Sequence, residues 1–164
     1  METVVDKLWQ TFLLVIGIAS PMDHVELFSP SVFFVDDGLK VDVSAKHVLN
    51  DEIYELLGSG IPVDIIGVFI VRGGRKVVFN RVVFVAKIRK VRGKIFLNDE
   101  PLEGLSSLGR DFERFVFFAP LDVSVLRGKK LGMRFELKLY SSVFSGVRDL
   151  WGNSPHIDFS AVVP

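Results

Sequence analysis

The sequence has no cysteine. Disulfide bonds, thiolate catalysis, Cys-ligated zinc and an acylated lipoprotein cysteine are therefore excluded. Net charge is missing too, because 20 basic residues balance 20 acidic ones. A dedicated nucleic-acid binder neutralises phosphates with an excess of Lys and Arg, so this balance argues against that class. There is no Walker phosphate loop, GxGxxG, HExxH or GxSxG, and hence no motif that implies a cofactor. Internal repeats, low-complexity runs and linkers are likewise lacking, and 164 residues suit one domain or a targeting segment followed by one domain.

What is present is apolar and unevenly charged. The hydrophobic share is 49% and includes 15 Phe, enough for a close-packed core. Between Met1 and Asp64 the acids outnumber the bases, which are Lys7, Lys40 and Lys46. From Ile65 to Leu97 there is no acid, but there are Arg72, Arg75, Lys76, Arg81, Lys87, Arg89, Lys90, Arg92 and Lys94. This asymmetry is the strongest electrostatic feature of the chain.

Leu8 to Ala19 is a short apolar run followed by Ser20-Pro21. Gly17-Ile18-Ala19 puts small residues at both positions a signal peptidase inspects, which predicts cleavage after Ala19. The run is shorter than the roughly 20 residues that span a bilayer. The leader departs from the export pattern, with Glu2 and Asp6 beside a single Lys7, and an N-terminal core helix or strand is the alternative. The expected organisation is a signal peptide or N-terminal anchor over residues 1–19, bringing the chain close to a membrane, and one strand-rich α+β domain over residues 20–164.

That domain is expected to be an antiparallel sheet or sandwich with about three short helices. Ser31 to Val43 reads as a hairpin, with Asp36-Asp37-Gly38 supplying the turn and the positive backbone angles a tight turn uses. The paired aspartates can bind a metal, but turn chemistry already accounts for them. Asn50 can cap a helix whose apolar side is Leu49, Ile53, Leu56 and Leu57, stopped by Gly58, Gly60 and Pro62. Val63 to Val71 is apolar on both alternating faces apart from Asp64, which predicts a central strand covered on both sides. Gly73-Gly74 and Arg92-Gly93 turn the chain through strands at Lys76–Ile88 and Lys94–Asn98, making a meander. Ser107 can cap a second helix along Leu108, Phe112, Phe115, Val116 and Ala119, ended by Pro120, with a strand over Phe112–Phe118 as the competing reading. Leu131 to Tyr140 alternates cleanly, Ser142 can open a third helix along Val143, Val147, Leu150 and Trp151, and Ile157 to Val163 alternates again.

Candidate sites follow from chemistry. Arg72, Arg75, Lys76, Arg81, Lys87 and Arg89 form a basic meander that suits an acidic partner, anions or lipid headgroups. A solvated surface of strand-end charges, or one facing the chain's own acidic first third, is the plainer account. The two-residue period of a strand predicts that Arg81, Lys87 and Arg89 share one face and form a line of charge. His24 with Asp23, and His156 with Asp158, have no spacing that builds a metal or acid–base site, so no catalytic and no metal-ligating residues are assigned. Gly73-Gly74-Arg75-Lys76 joins two strands, so a hairpin explains it better than phosphate binding. Phe33, Phe34, Phe69, Phe79, Phe84, Phe96, Phe112, Phe115 and Phe135 are all placed in core elements, where they can pack or line a lipid or small-ligand cavity.

The run LNDEIYELLGSGIPVDIIGVFIVR, the basic turn and paired strands, GLSSLGRDFERF and LRGKKLGMRFELKL resemble, in this order, the exported bacterial proteins catalogued as domain-of-unknown-function family 4390. Gly60, Ile61, Pro62 and Arg72 would match that family's helix ending in Gly-Ile-Pro and strand ending in Arg. Where the family commonly has a tryptophan a few residues on, this chain has Val77, Val78 and Phe79. The resemblance implies an envelope protein, in some bacteria encoded near two-component sensor kinases, and carries over no catalytic residue. The expected function is a non-catalytic extracytoplasmic domain that binds a protein partner or envelope component, with links to signalling. A lipid or small-ligand carrier is the alternative, and an enzyme of unknown class ranks below both.

Overall fold

A computed structural model of the chain describes residues 24–103, 105–141, 151 and 153–164. The expected signal segment, and the third helix opened by Ser142, lie outside those residues apart from Trp151. Among the described residues, nine strands build two antiparallel sheets. The smaller sheet contains β1 (Glu26–Val35), β2 (Gly38–Lys46) and β7 (Arg114–Pro120), in the order β1-β2-β7. The larger adds β3 (Val63–Gly73), β4 (Lys76–Val91), β5 (Lys94–Leu97), β6 (Glu100–Leu102), β8 (Lys130–Tyr140) and β9 (His156–Val162), in the order β6-β5-β4-β3-β8-β9. The sheets face each other across the core, with β1 running beside β9 and β7 beside β4.

Alternation decides which side of each strand enters the core. Leu39, Val41, Val43 and Ala45 of β2 point inward, opposite Leu131, Met133, Phe135, Leu137 and Leu139 of β8 and Val63, Ile65, Phe69 and Val71 of β3. The aromatic residues pack ring on ring. Centroid separations are 5.0 Å for Phe69–Phe117, 4.9 Å for Phe84–Phe115, 5.4 Å for Phe115–Phe135 and 5.2 Å for Phe117–Phe135. These rings fill the centre of the sandwich with one another. Phe33 is an exception to the expected core, since it stands 57% exposed on the outer face of β1 while its neighbour Phe34 turns inward.

Several local signals act as the sequence predicts. Asn50 caps α1 (Asp51–Gly58), its side-chain oxygen accepting from the Ile53 amide at 3.2 Å, and Ile53, Leu56 and Leu57 are buried. Gly60 follows with φ +78, closing the helix as a residue without a Cβ can. Arg92 and Gly93 both take positive φ between β4 and β5, the backbone of a tight primed turn.

Other elements differ. The hairpin turn at Asp36-Asp37 closes without a positive φ there or at Gly38. Gly38 is needed for space, because a Cβ would lie 2.3 Å from the Ala119 carbonyl oxygen and 2.6 Å from the Phe118 ring. The helix expected from Ser107 to Ala119 is split: α2 (Leu105–Arg110) starts earlier and stops, and β7 takes the rest. RFVFFAP is apolar at nearly every position, so it fits a period of 3.6 or 2 equally well. Aromatic and branched residues favour the pleat, and the free edge of β2 supplies a ladder. Among the described residues the helices are α1, α2 and one 3-10 turn, Ser124–Leu126.

Candidate functional site

The outer face of the larger sheet carries part of the basic meander around an apolar centre. Cross-strand register fixes the rows. Lys87 lies opposite Asp64, Val85 opposite Ile66 and Val82 opposite Val68. On the other side of β3, Ile66 faces Lys138, Val68 faces Glu136 and Ile70 faces Arg134. Ile66, Val68 and Ile70 are half-buried, whereas Val77, Val82 and Val85 are exposed, Val82 by 54%. A band of branched aliphatic side chains therefore runs along β3 and β4 on the surface. It corrects the expectation that Val63 to Val71 is covered on both sides: Ile65 is completely buried, but Ile66 on the opposite face is not. Among the described residues no further layer packs on this face.

The bases border that band without forming one line. β4 carries a register irregularity opposite Gly67 and Val68, where Phe84 and Val82 are the successive partners and Val83 is the extra residue. A bulge inserts one residue and so reverses which face the following side chains take. Lys87 and Arg89 consequently lie on the outer face. Arg81 shares the parity of Phe79, whose buried ring its guanidinium approaches at 5.9 Å from the centroid. The two-residue period that would have aligned Arg81 with Lys87 and Arg89 is broken by Val83. Arg89 forms an ion pair with Asp99 at 3.0 Å, and Arg75 and Lys76 sit exposed at the β3–β4 turn. Of the acidic first third, Asp64 reaches this surface through its register with Lys87, while Asp42 turns to Arg114 on the smaller sheet.

At the far end of the band, Arg72, Arg134 and Asp158 surround Gly132, whose missing side chain leaves a shallow hollow of about 230 Å³. Arg134 binds Asp158 through two nitrogens, Nε at 2.7 Å and an Nη at 3.0 Å. That hydrogen bonding holds the Asp158 carboxyl below its usual range; burial opposes it, and the charges of Arg134, His156 and Arg72 add to the lowering. His156 and Asp158 do share a strand face, with 3.9 Å between ring nitrogen and carboxylate. Sequence reasoning missed Arg134 and the valines. The charged residues of β8 alternate with core residues and look like ordinary strand exterior, and an apolar residue gives no sign of which face it will occupy. A second, larger hollow of about 510 Å³ opens between the end of β2 and the α2–β7 connection, lined by Phe28, Lys46, His47, Val48, Phe112 and Glu113 among others. The expected Phe residues meet it at Phe112 alone.

Among the described residues no group of His, Cys, Asp or Glu has the arrangement of a metal site, and no helix is long and apolar enough to cross a membrane. No protein-family model, curated protein or solved structure matches the chain.

Proposed function

We propose that this chain is a non-catalytic extracytoplasmic domain that binds a protein partner of the cell envelope through the outer face of its larger sheet. The observation that carries this reading is the aliphatic band of Ile66, Val68, Ile70, Val77, Val82 and Val85. A contiguous apolar surface with a polar rim is the usual anatomy of a docking site, since burying it against a partner releases water that folding has left in place. Lys87 and Arg72 on its border favour a partner with acidic residues around an apolar centre. The export-like N-terminus and the resemblance of the Leu49–Leu139 segments to an exported bacterial family support an envelope location and a connection to signalling.

The test begins with crosslinking in the native host and identification of the captured protein. Val82→Asp and the double variant Lys87→Gln/Arg89→Gln are then compared with wild type against that protein at low and moderate salt. Val82→Asp should abolish capture. The double variant should bind about as wild type does at moderate salt but more weakly at low salt, because exposed charges are screened over roughly 8–10 Å near physiological ionic strength. Unchanged capture by a folded Val82→Asp variant removes this face as the binding site. N-terminal sequencing of the native protein should give a chain starting near Ser20, and an intact Met1 in a cytosolic fraction would remove the export reading.

A further inference from the structure

The hollow of about 510 Å³ at the end of β2 shares no residue with the docking face of the larger sheet. It opens where three segments part. The ladder between β2 and β7 has its last pair at Ser44 and Arg114, after which the Ala45 amide donates to the Glu113 carbonyl at 2.8 Å. Beyond that bond β2 turns away through His47 toward α1. The chain enters β7 from α2 through short-range bonds, the Phe112 amide donating to the Gly109 carbonyl at 3.2 Å. Phe28 of β1 closes the third side. The volume between these walls is that of pockets which enclose small organic molecules.

Backbone conformation marks the same place. Among the described residues, five that are not glycine take a positive φ: Ser29, His47, Arg92, Asn98 and Asp99. Arg92 belongs to the β4–β5 turn, and Asn98 with Asp99 makes the β5–β6 turn, where hairpins use such angles. Ser29 at +49 and His47 at +58 lie outside hairpin turns. Ser29 follows Phe28 within the irregularity of β1, and His47 follows Lys46. Both disfavoured conformations thus adjoin walls of this hollow. Left-handed backbone of this kind gathers at ligand sites, and a bulge re-aims the side chain beside it. The two walls meet in a contact, with the Lys46 ammonium 4.8 Å from the centroid of the Phe28 ring.

The lining combines an apolar floor with two uncommitted charges. Val48 and Phe112 are buried and Leu49 is half-buried. Gly109 keeps one wall bare, since a Cβ there would meet nothing within 4 Å. The ion pairs among the described residues include neither Lys46 nor Glu113, although both line the hollow. Glu26 lies opposite Lys46 in the β1–β2 register and does not pair with it either. The hollow therefore presents an ammonium on the β2 side, a carboxylate on the α2–β7 side and an apolar floor.

We propose that this hollow binds a free amino acid with an apolar side chain. Its carboxylate would pair with Lys46, its ammonium with Glu113, and its side chain would rest on Val48, Leu49 and Phe112. A zwitterion satisfies both charges of the site at once, whereas a simple acid or amine satisfies one and is repelled by the other. An apolar body gains from the floor what water now occupies.

The protein is titrated with L-phenylalanine, 3-phenylpropionate and 2-phenylethylamine, which share one ring and differ in charge, while amide shifts are followed by NMR. L-phenylalanine should bind with a dissociation constant of about 1 mM or tighter, at least about threefold better than either analogue. The amides of Val48, Gly109 and Glu113 should shift, and those of Val82 and Val85 should not. Lys46→Gln should weaken L-phenylalanine and 3-phenylpropionate about three- to fivefold and spare the amine, and Glu113→Gln should weaken L-phenylalanine and the amine by the same factor and spare the acid. Gly109→Leu fills the hollow without a clash and should abolish binding. Val82→Asp, which removes partner capture on the larger sheet, should leave binding unchanged, so the two sites stand or fall separately. No saturable shift up to about 20 mM overturns the proposal. So do shifts centred on Val82 and Val85, an analogue that binds as tightly as L-phenylalanine, or a folded Gly109→Leu variant that binds as wild type does. The titrations of wild type decide the matter even if a variant fails to fold.

Discussion

Ile65 and Ile66 are neighbours in sequence that should respond in opposite ways to the same substitution. Ile65 is completely buried and lies between Ala86 of β4 and Leu139 of β8. Ile65→Asp forfeits the burial of an aliphatic side chain, about 1.5–3 kcal/mol. It also places an ionised carboxylate in the core with no cation in its row, which costs several kcal/mol more. A domain of this size has about 5–15 kcal/mol of stability in total, so Ile65→Asp should remove most of it. Ile66 faces outward, between Val85 and Lys138. Ile66→Asp loses partial burial, about 1 kcal/mol, and gains an ammonium neighbour that offsets some of that loss. Urea melts at pH 7 should show Ile66→Asp within a few degrees or tenths of a molar of wild type and Ile65→Asp largely unfolded.

Acid separates the two further. The buried carboxyl of Ile65→Asp would have its folded pKa raised above the unfolded value of about 3.9. Its penalty is therefore relieved as pH falls toward 4 and grows as pH rises, so Ile65→Asp should recover relative to wild type in mild acid. Ile66→Asp should not. Equal damage from both substitutions at pH 7 would mean the outer face of β3 is covered, and the docking surface proposed on it would fall with the reasoning.

Gly67→Ala should destabilise the protein by about 1–3 kcal/mol, because the new Cβ would lie 2.9 Å from the buried Phe135 ring and 3.0 Å from the Phe84 Cβ; calorimetry showing no loss would mean that this contact can relax freely. Glu52, in the first turn of α1, has its carboxyl pushed above the usual value by burial and secondarily by Glu55. Its charged form thus opposes folding, and the wild type should lose stability relative to Glu52→Gln as pH rises through the range above 4.5. Melting temperatures of the pair from pH 4 to 8 check the sign, and a wild type that gains on Glu52→Gln with rising pH contradicts it.

Much of this architecture follows from the sequence by itself, wherever the deciding forces are local. Leu131 to Tyr140 alternates because one face of β8 is core and the other is not. Asn50 caps α1 because its side chain reaches an amide three residues on, and the chain turns at Arg92-Gly93 because the glycine takes a left-handed backbone without steric cost. The surrounding structure decided the rest. Whether Phe115 to Ala119 forms helix or strand depended on β2, more than 70 residues earlier, presenting an edge to it. The inserted Val83 reverses the facing of Arg81 against Lys87 and Arg89, and a run of alternating and continuous apolar residues does not reveal where a bulge will fall. An aliphatic side chain has the same composition whether a layer covers it or water does. Ile65 became core and Ile66 surface because the smaller sheet packs on one side of β3, a choice made by the tertiary arrangement and by no residue within the strand.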